Sequence, residues 1–186
     1  MAAKKPSIHK TLFFLILVFV PPYFLIFTDE GSRLSDTALL WLLGEEDAKV
    51  DIGKLSRAFS ENDIKSVFTD LDWKCGDKET PFGESLCAAK IGTFNTMPAR
   101  LLTFYFVDKQ VTGMKVVYRE PYHKQLLGQF IQAFGQPNNV EEAIADKPDA
   151  ANVLEWQLDQ GTLIMKKTLG KQDEPAVLWM AARPAD

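Results

Sequence analysis

The residue types that most often do chemistry are scarce in this chain, and their spacing limits what they can do. There are two histidines and two cysteines in 186 residues. His9 sits with Lys4, Lys5 and Lys10 near the N-terminus, which leaves His123 alone in the body of the chain and excludes a zinc site built on several imidazoles. At the start of a helix, His123 is expected to be solvated. Cys75 and Cys87 are twelve positions apart, so they do not form the CxxC pair of a redox enzyme. In an oxidising compartment an even pair at this separation reads as a disulfide, whose closed loop contributes on the order of 3 kcal/mol. Two buried free thiols are the other reading of the same pair. No G-x-S-x-G occurs, Gly53-Lys54 lacks the flanking residues of a phosphate loop, and Gly76, Gly83 and Gly92 are too scattered for a dinucleotide fingerprint. Glu141-Glu142 and Glu45-Glu46-Asp47 lie on polar segments, where adjacent acids are solvated rather than convergent. The expectation is a non-enzymatic protein without cofactor or metal.

The address is written more plainly than the activity. Three lysines precede an unbroken apolar run over 12–27, and the chain turns acidic at Asp29 and Glu30. This asymmetry predicts a single-pass anchor in a bacterial inner membrane, N-terminus cytoplasmic, with the remainder periplasmic. Pro21 and Pro22 inside the run predict a kink or a helix end. A cleaved secretory signal is the competing reading, but no small-residue cleavage site follows the run and no cysteine is placed there to carry a lipid. A second apolar cluster, ALLWLL at 38–43, is too short to span. Its Trp41 and Leu42 suit a short helix on the membrane surface or against a partner's membrane helix, or one packed on the domain itself.

Of the 21 Lys and Arg, three precede residue 28, whereas all 25 Asp and Glu follow residue 27; the part beyond the anchor is therefore 18 cations against 25 anions, a net of −7. That sign disfavours nucleic acid as a partner, since phosphate binding needs a basic patch. With 46% hydrophobic residues the bulk is globular, and about 150 residues suffice for one core. The expected division is an anchor over 1–28, a juxtamembrane segment and linker over 29–59, and an exterior domain over 60–186.

Within that domain, Ser60-Glu61-Asn62-Asp63 supplies a helix cap, followed by Ile64, Val67, Phe68 and Leu71 at helical spacing. Strand texture follows at 87–94, 101–107 and 111–118, the last two joined across Asp108-Lys109-Gln110. Pro121 opens a second helix whose Leu126, Leu127, Phe130, Ile131 and Phe134 share a face, and Gly135 and Pro137 stop it. After a polar loop over 136–151, three more strands are expected at 152–158, 162–168 and 175–182, with Asp159-Gln160-Gly161 as a turn. The order helix-βββ-helix-βββ predicts an α+β fold: an antiparallel sheet of about six strands with both helices on one face.

The FGQP at 134–137, the later Leu154-Glu155-Trp156 and Gly161-Thr162-Leu163 opening a strand resemble periplasmic modules of the β-lactamase-inhibitor-protein type and the outer-membrane assembly lipoprotein BamE. The likeness covers roughly the last 120 residues, at the level of fold. It implies an interaction module of the cell envelope. Those lipoproteins carry a lipidated N-terminal cysteine, which this chain lacks, so the resemblance implies no shared partner.

Period-two alternation sharpens that expectation. If Leu102, Phe104, Phe106, Met114, Val116, Tyr118, Leu154, Trp156, Leu158, Leu178 and Met180 face the helices, then Tyr105, Lys115, Val117, Val153, Glu155 and Trp179 face away. An antiparallel sheet with one wet face is normally polar there. An apolar second face predicts contact with an envelope or inner-membrane protein, with a small or lipidic ligand, or with the lipid surface, unless the 136–151 loop or the segment before residue 60 covers it.

Overall fold

The computed structural model describes residues 8–28, 30, 46–139 and 152–182. The chain divides into two compact units, Met1–Gly44 and Glu45–Asp186. Trp41 and Leu42 lie outside the described residues.

In the first unit, helix α1 spans Ile8–Phe27 and runs through Pro21 and Pro22, so it does not end at the prolines. Its last turn is closed by Thr28, whose amide and hydroxyl both donate to the Phe24 carbonyl at 3.2 and 2.8 Å. The side chains described in α1 are those of 13–24, all exposed, Phe13 and Phe14 by about two-thirds. Among the described residues no helix is long and apolar enough to cross a membrane.

The second unit is α+β. Its strands are β1 (Asp47–Ala48), β2 (Lys74–Thr80), β3 (Gly83–Lys90), β4 (Thr93–Phe94), β5 (Met97–Val107), β6 (Gln110–Tyr118), β7 (Asn138–Asn139), β8 (Val153–Leu158), β9 (Gly161–Lys166) and β10 (Ala176–Ala181). They form one sheet in the order β2-β3-β5-β6-β10-β9-β8-β7, antiparallel throughout, with β4 also on β5. β1 joins β4 in parallel, which makes the sheet mixed. The six expected strands are present. The additional β2 is a strand that sequence pattern alone does not suggest, because as an edge strand it is exposed on both faces and needs no apolar alternation. Its Lys74, Asp77, Lys78 and Glu79 also discourage pairing with another chain's edge.

Helix α2 (Glu61–Val67) opens with a capping box: the Asp63 amide donates to Ser60 Oγ at 3.3 Å, and the Ser60 amide donates to Asp63 Oδ2 at 2.8 Å. Two orphan donors of the first turn are thus satisfied. The Ser60 hydroxyl, which donates to Asp63 Oδ2 at 2.6 Å, and then the Ser60 amide hold the Asp63 pKa below the usual range. Ile64 is buried and Phe68 packs on Phe104, whereas Val67, expected on the same face, is 62% exposed. Helix α3 (His123–Phe134) follows a short 3-10 turn, Glu120–Tyr122, that carries Pro121. It ends at Gly135, whose φ of 82° is a left-handed conformation suited to glycine, and Trp156 Nε1 donates to the Gly135 carbonyl at 2.9 Å.

The β5–β6 hairpin turns on two residues, Asp108 and Lys109, both at positive φ, the geometry whose twist matches the flanking strands. Both helices cover one face, through Phe68 against Phe104 and Phe130 against Trp156. The segment 46–59, expected as linker, belongs to the domain: Ala48, Val50, Ile52 and Leu55 are buried in its core.

Candidate functional site

Strand register decides which side chains share a face. One row runs across the whole sheet: Cys75, Cys87, Phe104, Met114, Trp179, Leu163 and Trp156 are successive cross-strand partners. This is the helix-covered row. Trp179 therefore lies in the core, fully buried, and its assignment to the outer face is corrected. Leu178 and Met180, expected in the core, take the outer face instead. The physical reason is composition: β10 reads AVLWMA, apolar at every position, so its pattern carries no parity and only pairing with β6 fixes it. Glycine at 161 makes room for the indole, since a Cβ there would lie 2.9 Å from the Trp179 ring and 2.2 Å from the Met180 carbonyl oxygen. Among the described residues the buried Trp179 Nε1–H has no hydrogen-bond partner.

The row at the head of the sheet also brings Cys75 opposite Cys87, with Cα atoms 4.0 Å apart, in a disulfide that ties edge strand β2 to β3. Glu61 is the third member of the cluster of possible metal-binding groups around these sulfurs. The disulfide consumes both thiolates, leaving one carboxylate, which is no metal site.

The opposite face is built from three further rows. Leu86 pairs with Tyr105, then Gly113, Met180 and Thr162; Ala88 with Thr103, then Lys115, Leu178, Ile164 and Glu155; Lys90 with Leu101, then Val117 and Ala176. Val153 joins the same face beside Lys166. Of the residues expected here, Tyr105, Lys115, Val117, Val153 and Glu155 are in place, and Leu178 and Met180 stand where Trp179 was expected. Most are partly exposed, while Tyr105 is buried under the Phe82 ring of the β2–β3 turn, centroids 5.2 Å apart. That burial raises the Tyr105 pKa, against the opposing pull of Lys115 and with a smaller push from Glu174.

Two lysines of this face are paired from one loop: Glu174 bridges Lys115, and Asp173 bridges Lys166 at 2.6 Å. Hydrogen bonds from Lys166 and the Gly170 amide keep the Asp173 carboxyl below its ordinary pKa. Beside the pairs the face is largely apolar, with Leu101, Val117, Leu178, Met180, Ile164 and Val153, and it is interrupted by Thr103, Thr162 and Glu155. Helices α2 and α3 and the 46–59 segment pack on the other side, so among the described residues of this second unit only turns reach this surface. The central stretch of the 136–151 loop lies outside the described residues.

His123 is not the solvated residue expected at a helix start. Its Nε2 lies 3.0 Å from the Lys167 carbonyl and its Nδ1 2.7 Å from the Tyr118 hydroxyl. A carbonyl can only accept, so Nε2 carries the proton and Nδ1 accepts from Tyr118. Burial, with Glu120 nearby, pushes the Tyr118 pKa up and keeps its hydroxyl a donor. The pair braces α3 to the end of β9 and offers no open position for a substrate.

Beside α2 lies an apolar hollow of about 180 Å³ lined by Val50, Leu55, Phe59, Ile64 and Phe68 among others. Ligand pockets generally hold about 300–1,000 Å³, so it is small for a metabolite. No family model, curated protein or solved structure matches the chain. Function has to be read from this geometry.

Proposed function

We propose that this protein is a non-enzymatic, membrane-anchored interaction module of the cell envelope, an accessory or assembly subunit that docks a partner protein on the open face of its sheet. The observation that carries the reading is that face itself: an apolar surface across β3, β5, β6, β10, β9 and β8 on the side away from the helices. Monomeric domains seldom leave contiguous apolar surface of this kind without using it. The Lys115–Glu174 pair beside Leu178 neutralises the one lysine set among the apolar side chains, and the Lys166–Asp173 pair lies toward β8.

The anchor reading rests on the sequence: Lys4, Lys5 and Lys10 precede the apolar run over 12–27, an asymmetry that favours a cytoplasmic N-terminus. The Cys75–Cys87 disulfide fits an oxidising exterior, which a periplasmic domain would meet.

The test is a lysine placed in the middle of the face. Full-length chain extracted from its own membranes in mild detergent is expected to migrate in a complex with a second protein. Leu178→Lys is expected to migrate alone while melting within a few degrees of the parent. A parent chain that already migrates alone, without crosslinkable protein at Leu178 in intact membranes, contradicts the reading.

A further inference from the structure

One end of the open face differs in charge from the rest. Lys90, Arg100, Arg119 and Glu174 surround a shallow cleft of about 480 Å³ whose floor is Ile91, Ala99, Leu101 and Val117. Lys90, Leu101, Val117 and Arg119 point the same way because Lys90 is the cross-strand partner of Leu101, Leu101 of Val117, and Arg119 follows Val117 by two. Arg100 would point to the other side of a regular strand. It joins the cleft because the register slips there: Ala99 pairs with Tyr118 and Leu101 with Val117, which makes Arg100 the extra residue of a β-bulge. Bulges commonly re-aim a side chain near functional surfaces.

Three cations from three neighbouring strand ends are out of character in a domain region with a net of −7. Glu174, the anion of the cleft, is engaged by Lys115. Among the described residues neither the Lys90 ammonium nor the Arg100 guanidinium has an ion-pair or hydrogen-bond partner. Cations around an apolar floor complement a segment that is acidic and apolar together. An anionic lipid surface would meet the net negative charge of the whole domain, whereas one acidic segment meets only the cleft.

Resting on the docking reading above, we propose that the partner protein engages this end of the face with an acidic segment. Its carboxylates lie against Lys90 and Arg100, and its apolar side chains cover Leu101 and Val117. The other rows of the face, around Leu178 and Met180, carry the apolar remainder of the interface.

A photo-reactive phenylalanine analogue placed at Leu101 in one full-length chain and at Leu178 in another, irradiated in native membranes, tests the assignment. Each is made with the parent cleft and with Lys90→Glu plus Arg100→Glu, both exposed positions whose change should leave the melt unaltered. A protein adduct is expected at both probes. The charge reversal and raised salt should each lower the Leu101 adduct by about tenfold or more, and the crosslinked peptide should contain Asp or Glu beside apolar residues. A protein adduct at Leu178 with none at Leu101, or a Leu101 adduct indifferent to charge reversal, overturns the acidic-segment assignment while leaving the docking face standing. A lipid adduct at Leu101 overturns it in favour of the membrane surface. No protein adduct at either probe removes the docking reading along with it.

Discussion

Alanine at Trp179 and alanine at Leu178 are neighbouring substitutions with different expected readouts, because register puts the first under the helices and the second on the open face. Trp179 is 0% exposed, held between Met114 and Leu163 and seated over Gly161. Truncating a large aromatic in such a place costs about 3–5 kcal/mol. At about 3–4 °C per kcal/mol for a domain of this size, the melting temperature should fall by about 10–20 °C. Leu178 is only partly buried, so its truncation costs less, about 1–1.5 kcal/mol and roughly 5 °C. Association should respond in the opposite order: Leu178→Ala weakens partner binding by about 1 kcal/mol or more, some fivefold. Thermal melts of the extracted chain and a titration against membranes holding the partner measure both. Trp179→Phe is a useful third point, since it removes the unpartnered indole N–H and should cost less than half of the alanine change. A normal melt for Trp179→Ala, or a Leu178→Ala chain melting as low as Trp179→Ala, would refute the facing of β10 and the surface built on it.

Three further outcomes follow from named contacts. Removing the disulfide with Cys75→Ser plus Cys87→Ser should cost about 3 kcal/mol, with hydrogen exchange accelerating first in Lys74–Thr80, the edge strand it ties down; uniform loss across the sheet would contradict that placement. The Tyr118 pKa is raised by burial, so stability should be intact below the ordinary tyrosine pKa of about 10 and fall as pH rises above it, when the unfolded chain loses the proton first; Tyr118→Phe should flatten that limb in pH-dependent melts. Ser60→Ala should cost about 1 kcal/mol through the lost cap, and it should reduce the loss of stability on acidification through the Asp63 range, because the hydroxyl that contributes most to lowering that carboxyl's pKa is gone while the backbone amide's hydrogen bond stays.

The sequence is most informative where chemistry leaves a local mark. The Ser60 cap, the Pro121-to-Gly135 helix and the hairpin at Asp108-Lys109 need only neighbouring residues, and all three are present. So is the facing of β8, where VLEWQL alternates and puts Leu154 and Trp156 inside. β10 shows the limit of the method: with no polar residue to mark a face, its parity is set by pairing with β6, a long-range fact. β2 shows a second limit, since an edge strand held by hydrogen bonds and a disulfide shows no burial pattern. The cationic cleft depends on a bulge at Arg100, which is a property of two strands together. His123 has its partners in Tyr118, five residues back, and in Lys167, so its bracing role could not be read from one helix start.

The central claim is that the open face is covered by a partner, and hydroxyl-radical footprinting of its methionine tests this most directly. Met180 lies partly exposed on that face, while Met114 and Met165 are buried on the other. In purified full-length chain, Met180 should oxidise readily and Met114 and Met165 slowly. In native membranes, at the chain's natural abundance, Met180 should become as protected as the other two. Equal oxidation of Met180 in both preparations would contradict the claim, and so would a Met180 already protected in the purified chain.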